Sequence, residues 1–410
     1  IKEEKKLFVL FLIFLINGVL TPIALNSSDE DFFLVKEFLT PSIISALIFV
    51  AYGINKFSNK KWFTCVYLTI FVFTVSYKFY YDIETLNRRN DVYAYKLAED
   101  SLKNLPTGSF LIGESDYTLF PLWYVQYVDG LRRDVTVLDA DFLMLPWYQK
   151  QNINKLPILK GLIPDISSHS SSRKGSVLDE AVLEGFKLDQ SELLAKNIKD
   201  KLGKEVFFTY DFFEMAKFYK PQLLKILNQY GLVYRLTFDN RLSSSNLSID
   251  LNHLSKKINL SKEELIFLTP YVPYLIEKAD DLYRKFDIVG AINYLNNAFY
   301  ISPSPEKAIY LAYALADEGK NLEKAERLLH YAEKNSMVSL PKQNLVKGLI
   351  SLRKNRFDDA YVFLSQEEKN NPMECDAKIF LIELLLKKSE KDMANRYFAE
   401  IQSICGDYYI

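Results

Sequence analysis

Residues 109–148 read SFLIGESDYTLFPLWYVQYVDGLRRDVTVLDADFLMLPWY, and this stretch decides how the middle of the chain folds. Two short runs of strand-forming residues, 109–112 and 135–138, flank a helix-length apolar segment, the pattern of a strand–helix–strand unit. Ahead of it Val92, Tyr95, Leu97 and Ala98 fall on one face of an amphipathic helix, which Pro106 and Gly108 would stop. Behind it, 206–209 (VFFT) and 232–236 (LVYRL) are further strand candidates around a helical stretch at 213–230. The expectation is a small α/β domain over 91–237, with a mostly parallel sheet covered by helices.

In such sheets ligands bind beyond the carboxyl ends of the strands. Glu114, Ser115 and Asp116 follow the first strand directly, and Asp139 and Asp141 end the second. These four carboxylates suit a cation, a sugar hydroxyl or acid–base work. The competing reading is that Ser115 and Asp116 cap the next helix. Arg132 and Asp134 read as a solvated turn or an ion pair, and Trp123 and Tyr124 as core before ligand platform. All are carried as candidate ligand-binding positions.

Upstream, the chain is dominated by three apolar runs at about 7–25, 38–54 and 62–81, with Pro41 in the first turn of the second. Trp62, Tyr77, Tyr80 and Tyr81 sit at the two ends of the third, as an interfacial aromatic belt would. Residues 1–90 are therefore expected to cross a lipid bilayer three times. Lys2, Lys5 and Lys6, then Lys56, Lys60 and Lys61, mark the cytoplasmic side, which leaves everything after Tyr81 extracytoplasmic. The expected location is the cytoplasmic (inner) membrane, multi-pass. Beginning at Ile1, the chain also reads as the continuation of a longer one.

Downstream, the polar run SSHSSSRKGS between about 163 and 203, and residues 238–270, read as connectors. Beyond them Ala291, Ala325, Ala360 and Ala394 recur at steps of 34, 35 and 34, the tetratricopeptide period. Leu295, Leu329, Leu364 and Phe398 follow four residues after each, and Pro303 and Pro372 twelve after two of them. Residues 271–410 should form an α-solenoid whose groove takes a protein or peptide.

A net charge of −1 gives no support to nucleic-acid binding. Cys65, Cys375 and Cys405 lack metal-site or disulfide-framework spacing, and His169, His253 and His330 are scattered singly, so no metal is expected.

The 109–148 stretch also resembles a family of membrane proteins that includes protein O-mannosyltransferases of the GT-C superfamily. The likeness lies in Phe120 to Tyr124, Asp129, Gly130, Arg132, Asp134, Val135, Trp147 and Tyr148, with 231–236 and DFFLVKEFLTPS before the second apolar run. The departures are Ser115 in place of the family's Gly and Thr118 in place of its second Asp. The resemblance implies a sugar, mannose, moved from a polyprenyl-phosphate donor to protein outside the cytoplasm. It places the catalytic acidic residue upstream of residue 1, and leaves acceptor handling to the soluble part. The alternative is a non-enzymatic membrane-anchored scaffold for envelope assembly, built on the repeats.

Overall fold

The computed structural model describes residues 2–20, 40–57, 61–86, 92–163, 180–237, 260–373 and 375–405. The chain divides into two compact units, Ile1–Asn90 and Asp91–Ile410.

The first unit holds helices α1 (Lys2–Leu15, running into a π-turn at Ile16–Leu20), α2 (Thr40–Phe57) and α3 (Lys61–Leu86). Ser45, Thr69 and Thr74 turn their hydroxyls back onto carbonyls four residues earlier at 2.8–2.9 Å, which satisfies them without solvent. Apolar side chains face outward, Phe73 at 72% and Tyr80 at 76% exposure. Among the described residues no helix is long and apolar enough to cross a membrane, and the three spans remain an expectation.

In the second unit α4 (Tyr93–Lys103), β1 (Phe110–Gly113), α5 (Asp116–Tyr127), β2 (Thr136–Asp139) and α6 (Pro146–Lys155) follow in turn. After them come α7 (Glu180–Leu202), β3 (Val206–Phe208), α8 (Tyr210–Tyr219), β4 (Leu227–Tyr230) and β5 (Val233–Leu236). The five strands lie in the order β2-β1-β3-β5-β4. β1 pairs parallel with β2 and β3, whereas β5 pairs antiparallel with β3 and β4. The sheet is therefore mixed, not mostly parallel. Helix at 213–230 ends early because Pro221 cannot continue it, and Gly231 (φ +66°) then turns 227–236 into a hairpin.

Alternation along β1 sends Phe110 and Ile112 to one face, against α7 and α8, and Leu111 to the other, against α4 and α5. The expected connector at 163–203 is corrected by α7: Leu188, Leu194, Ala195 and Ile198 form one fully buried helical stripe inside a polar composition. Its serine run at 164–179 lies outside the described residues, as do 238–259.

Helix α9 (Lys262–Leu268) starts at a capping box between Ser261 and Glu264, inside the stretch read as connector. From it runs a helical array: α10 (Tyr271–Arg284), α11 (Ile288–Ile301), α12 (Pro305–Glu318), α13 (Leu322–Asn335), α14 (Gln343–Arg353), α15 (Phe357–Asn370), α16 (Cys375–Lys387) and α17 (Lys391–Cys405). Ala291, Ala325, Ala360 and Ala394 are all buried, where a small side chain lets paired helices approach. Polar contacts link successive helix pairs: Tyr283 meets Asp317, and Arg353 reaches Asp317 at 3.6 Å and also Glu383. The array shares a core with the sheet layer, since Tyr93, Leu97 and Leu232 pack with Leu268, Tyr271 and Leu275. Cys375 is disulfide-bonded, which its spacing had not suggested, because a cross-link depends on where helix ends meet in space.

Candidate functional site

The turns after β1 and β2, with the start of α8, border an open cavity of about 610 Å³ lined by Glu114, Ser115, Asp116, Asp141 and Asp211, with Phe142 on its wall. It opens at the carboxyl edge of the parallel strands, where sequence reasoning placed a site. Ser115 occupies the N-cap position of α5, but its side chain makes no capping hydrogen bond. Its backbone N–H donates instead to Asp211 Oδ2 at 2.7 Å. The Thr209 hydroxyl also donates to Asp211, so this carboxylate ties the turn after β1 to the turn after β3.

Lys187 of α7 is the charge centre of the site. Only 3% exposed, its ammonium meets Glu114, Asp141 Oδ1 at 2.8 Å and Glu184 Oε2 at 2.5 Å. Burial opposes this positive charge, but the three carboxylates together hold its pKa above the ordinary lysine value. One cation faces two largely shielded carboxylates, Glu114 and Glu184, and the half-exposed Asp141. Burial pushes the Glu114 carboxyl up to about 7 against the pull of Lys187, and Asp141 and Glu184 add to the push. Its Oε2 is buried without a hydrogen-bond partner among the described residues. A carboxyl that titrates near neutrality inside a cavity can both give and take a proton.

Asp139 lies beneath the cavity, 1% exposed. Its Oδ1 accepts the Phe142 N–H at 2.9 Å, while its own N–H donates to the Tyr148 hydroxyl at 3.1 Å; burial raises its pKa to about 6. It shapes the turn that presents Asp141. Trp123 is half-buried, and Tyr124, read as core, is 53% exposed because Leu122 and Val125 take the inward face of α5.

Arg132 and Asp134 stand at the opposite edge of the sheet and form an ion pair rather than a solvated turn. Arg132 Nε and Nη2 each lie 2.9 Å from an Asp134 oxygen, and Nη1 donates to the carbonyls of Leu102 at 2.8 Å and Lys103 at 3.0 Å. Asp134 also accepts the Gly108 N–H at 3.1 Å. The pair clasps the entry to β1 against the entry to β2, and Arg132 holds the Asp134 pKa down at about 2. Arg132→Ala should cost about 2 kcal/mol at pH 7, since it removes the ion pair and leaves the part-buried Leu102 carbonyl without its donor. A depressed carboxylate stabilises above its unfolded pKa and loses that contribution as pH falls through its folded one. The gap between wild type and variant in urea unfolding should therefore narrow as pH falls from about 4 through 2, leaving the part due to the carbonyls, and a gap that does not narrow at all would contradict the Arg132–Asp134 pairing.

Sequence reasoning missed Lys187 and Asp211. Asp211 was open to the rule that found Glu114 and Asp141, because it follows the end of β3. Lys187 lay hidden in a stretch read as connector, between Phe186 and Leu188. Among the described residues no cluster of His, Cys, Asp or Glu is arranged to hold a metal ion.

The site thus belongs to a mixed α/β layer fused to a helical array. Residues 94–158 match the model of the family described as TMEM260-associated domain 2. The match spans β1, α5, β2 and α6, and so carries Glu114, Asp116, Asp139 and Asp141, but neither Lys187 nor Asp211. No solved structure matches the chain.

Proposed function

We propose that this chain is part of a membrane glycosyltransferase of GT-C type, which transfers mannose from a polyprenyl-phosphate donor to protein on the extracytoplasmic side. In this reading residues 91–410 handle the acceptor. The observation that carries it is the acidic cavity around Glu114, set inside the segment that resembles the O-mannosyltransferase family. Carboxylates are good acceptors for acceptor-side hydroxyls and amides.

The outward apolar surface of α1 to α3 supports placing the first unit in the inner membrane, with lysine-rich ends on the cytoplasmic side. The disulfide at Cys375 fits an oxidising compartment for the second unit. The array is taken as tetratricopeptide-type, with an acceptor segment in its groove.

The test is transfer of radiolabelled mannose from a polyprenyl-phosphate donor to periplasmic acceptor protein in membranes containing the full-length protein. Asp116→Ala should lower transfer about tenfold, the effect of losing roughly 1.4 kcal/mol of binding, with unfolding unchanged. Undiminished transfer by a folded variant removes Asp116 from the site. Absence of transfer by the wild type, with stable protein partners captured on the array, favours the scaffold instead.

A further inference from the structure

Helix α5 buries Leu119, Leu122, Val125 and Gln126, and the opposite face carries aromatic rings at helical spacing. Phe120 and Tyr124 are each 53% exposed and Tyr127 is 65% exposed, with Trp123 half-buried beside them. Exposed aromatics standing in a row, rather than singly, mark a binding surface. Between this face and α6 lies a second cavity of about 240 Å³, walled by Trp123, Tyr127, Phe142 and Trp147, with Gln151 and Lys155 among its polar groups. Phe142 packs on Trp147 and on Tyr148, each at 5.7 Å between ring centroids, which fixes that wall. Lys155 Nζ stands 5.9 Å from the centre of the Tyr127 ring. Phe142 also walls the acidic cavity, so the two cavities adjoin.

We infer that the aromatic cavity binds a neutral saccharide, a pyranose carried on the acceptor rather than on the donor. A pyranose offers an apolar C–H face and a rim of hydroxyls that both donate and accept. Rings with polar groups at their edge complement both, as in small-molecule sites generally. An acyl chain would make no use of the Gln151 amide and the Lys155 ammonium at the exposed rim of the cavity. A phosphorylated sugar would meet Glu114, Asp116 and Asp141 next door, a field that repels anions. The stripe from Tyr127 back to Phe120 leads from the aromatic cavity to the acidic one. A sugar held at the first would set the protein segment bearing it against the carboxylates of the second. This narrows the proposed acceptor handling to a chemical class, and rests on that reading only for the site's place in the reaction.

The test is direct binding, without donor or turnover. The full-length protein in detergent is titrated with methyl α-D-mannopyranoside, methyl β-D-glucopyranoside and mannose 1-phosphate, followed by saturation-transfer NMR and tryptophan fluorescence. Saturable transfer to the ring C–H protons of at least one neutral glycoside is expected, at least tenfold tighter than for the phosphate. Trp147→Ala should weaken it tenfold or more, while Tyr127→Phe, which keeps the ring, should leave it within about twofold. No saturable binding of either neutral glycoside overturns the inference, as does equal binding by a folded Trp147→Ala variant. Preference for the phosphate overturns it in favour of a donor site. Binding without mannosyl transfer in the membrane assay would count against the glycosyltransferase alone, and transfer without binding against this site alone.

Discussion

Lys187→Met is expected to destabilise the second unit by about 3–5 kcal/mol at pH 8, the cost of leaving buried carboxylates without their cation. Methionine keeps the unbranched stem, so the change removes charge and little packing. The remaining anions would be Glu114, Glu184 and Asp141, of which Glu114 already titrates at about 7 beside the intact lysine. A carboxyl whose folded pKa is raised stabilises fully below its unfolded pKa, near 4.3, and loses that contribution as pH rises through the folded value. Wild-type stability should accordingly decline between about pH 4.5 and 7. Without Lys187 the Glu114 carboxyl loses the partner that pulls its pKa down, so the variant's decline is steeper and reaches higher pH. Urea unfolding at pH 5.5 and pH 8 reads this as a penalty that grows with pH. Glu114→Gln added to Lys187→Met should recover part of the loss, because it removes one of the uncompensated charges. A penalty equal at both pH values, or no recovery in the double variant, would show that Lys187 is held there for packing and not for charge.

Much of this site was legible because its rule is geometric. Parallel strands deliver the residues after their last pairing to one edge, so Glu114 and Asp141 could be placed there from the βαβ pattern alone. Lys187 could not, because its position depends on a helix that returns across the sheet after a long polar run. Composition there favours a linker, and only the stripe from Leu188 to Ile198 argues otherwise. The hairpin of β4 and β5 was missed for a related reason. LLKILNQY is apolar enough to extend a helix on paper, and only Pro221 and Gly231 break it into a turn and a strand. Arg132 and Asp134 could be read as a solvated turn or an ion pair, but residues two apart in a turn do not by themselves reveal that the pair holds two loop entries together. The helical array was legible through its alanines because close packing of paired helices demands small side chains at the contact, and Ala291, Ala325, Ala360 and Ala394 are all buried.

Gly348 shows what that periodicity did not reveal. It lies in the middle of α14, where glycine costs about 1 kcal/mol relative to alanine, so close packing must explain its presence. A Cβ at this position would sit 2.6 Å from Leu364 Cγ, 2.7 Å from its Cδ2 and 3.2 Å from its backbone N on α15. The leucine side chain can rotate away only into a packed core, and the backbone nitrogen can move only with its helix. Gly348→Val should therefore force α14 and α15 apart and cost about 3 kcal/mol, the upper part of the range for overpacking. Gly348→Ala should cost about 1 kcal/mol net, because its helix-propensity gain offsets part of the clash. In an array stability passes between neighbouring repeats, so hydrogen exchange should accelerate in α14 to α17. Amides of β1 to β3 should keep their protection, since those strands pack in separate hydrophobic clusters. If Gly348→Ala instead stabilises the protein by about 1 kcal/mol, propensity alone operates and the two helices do not approach this closely.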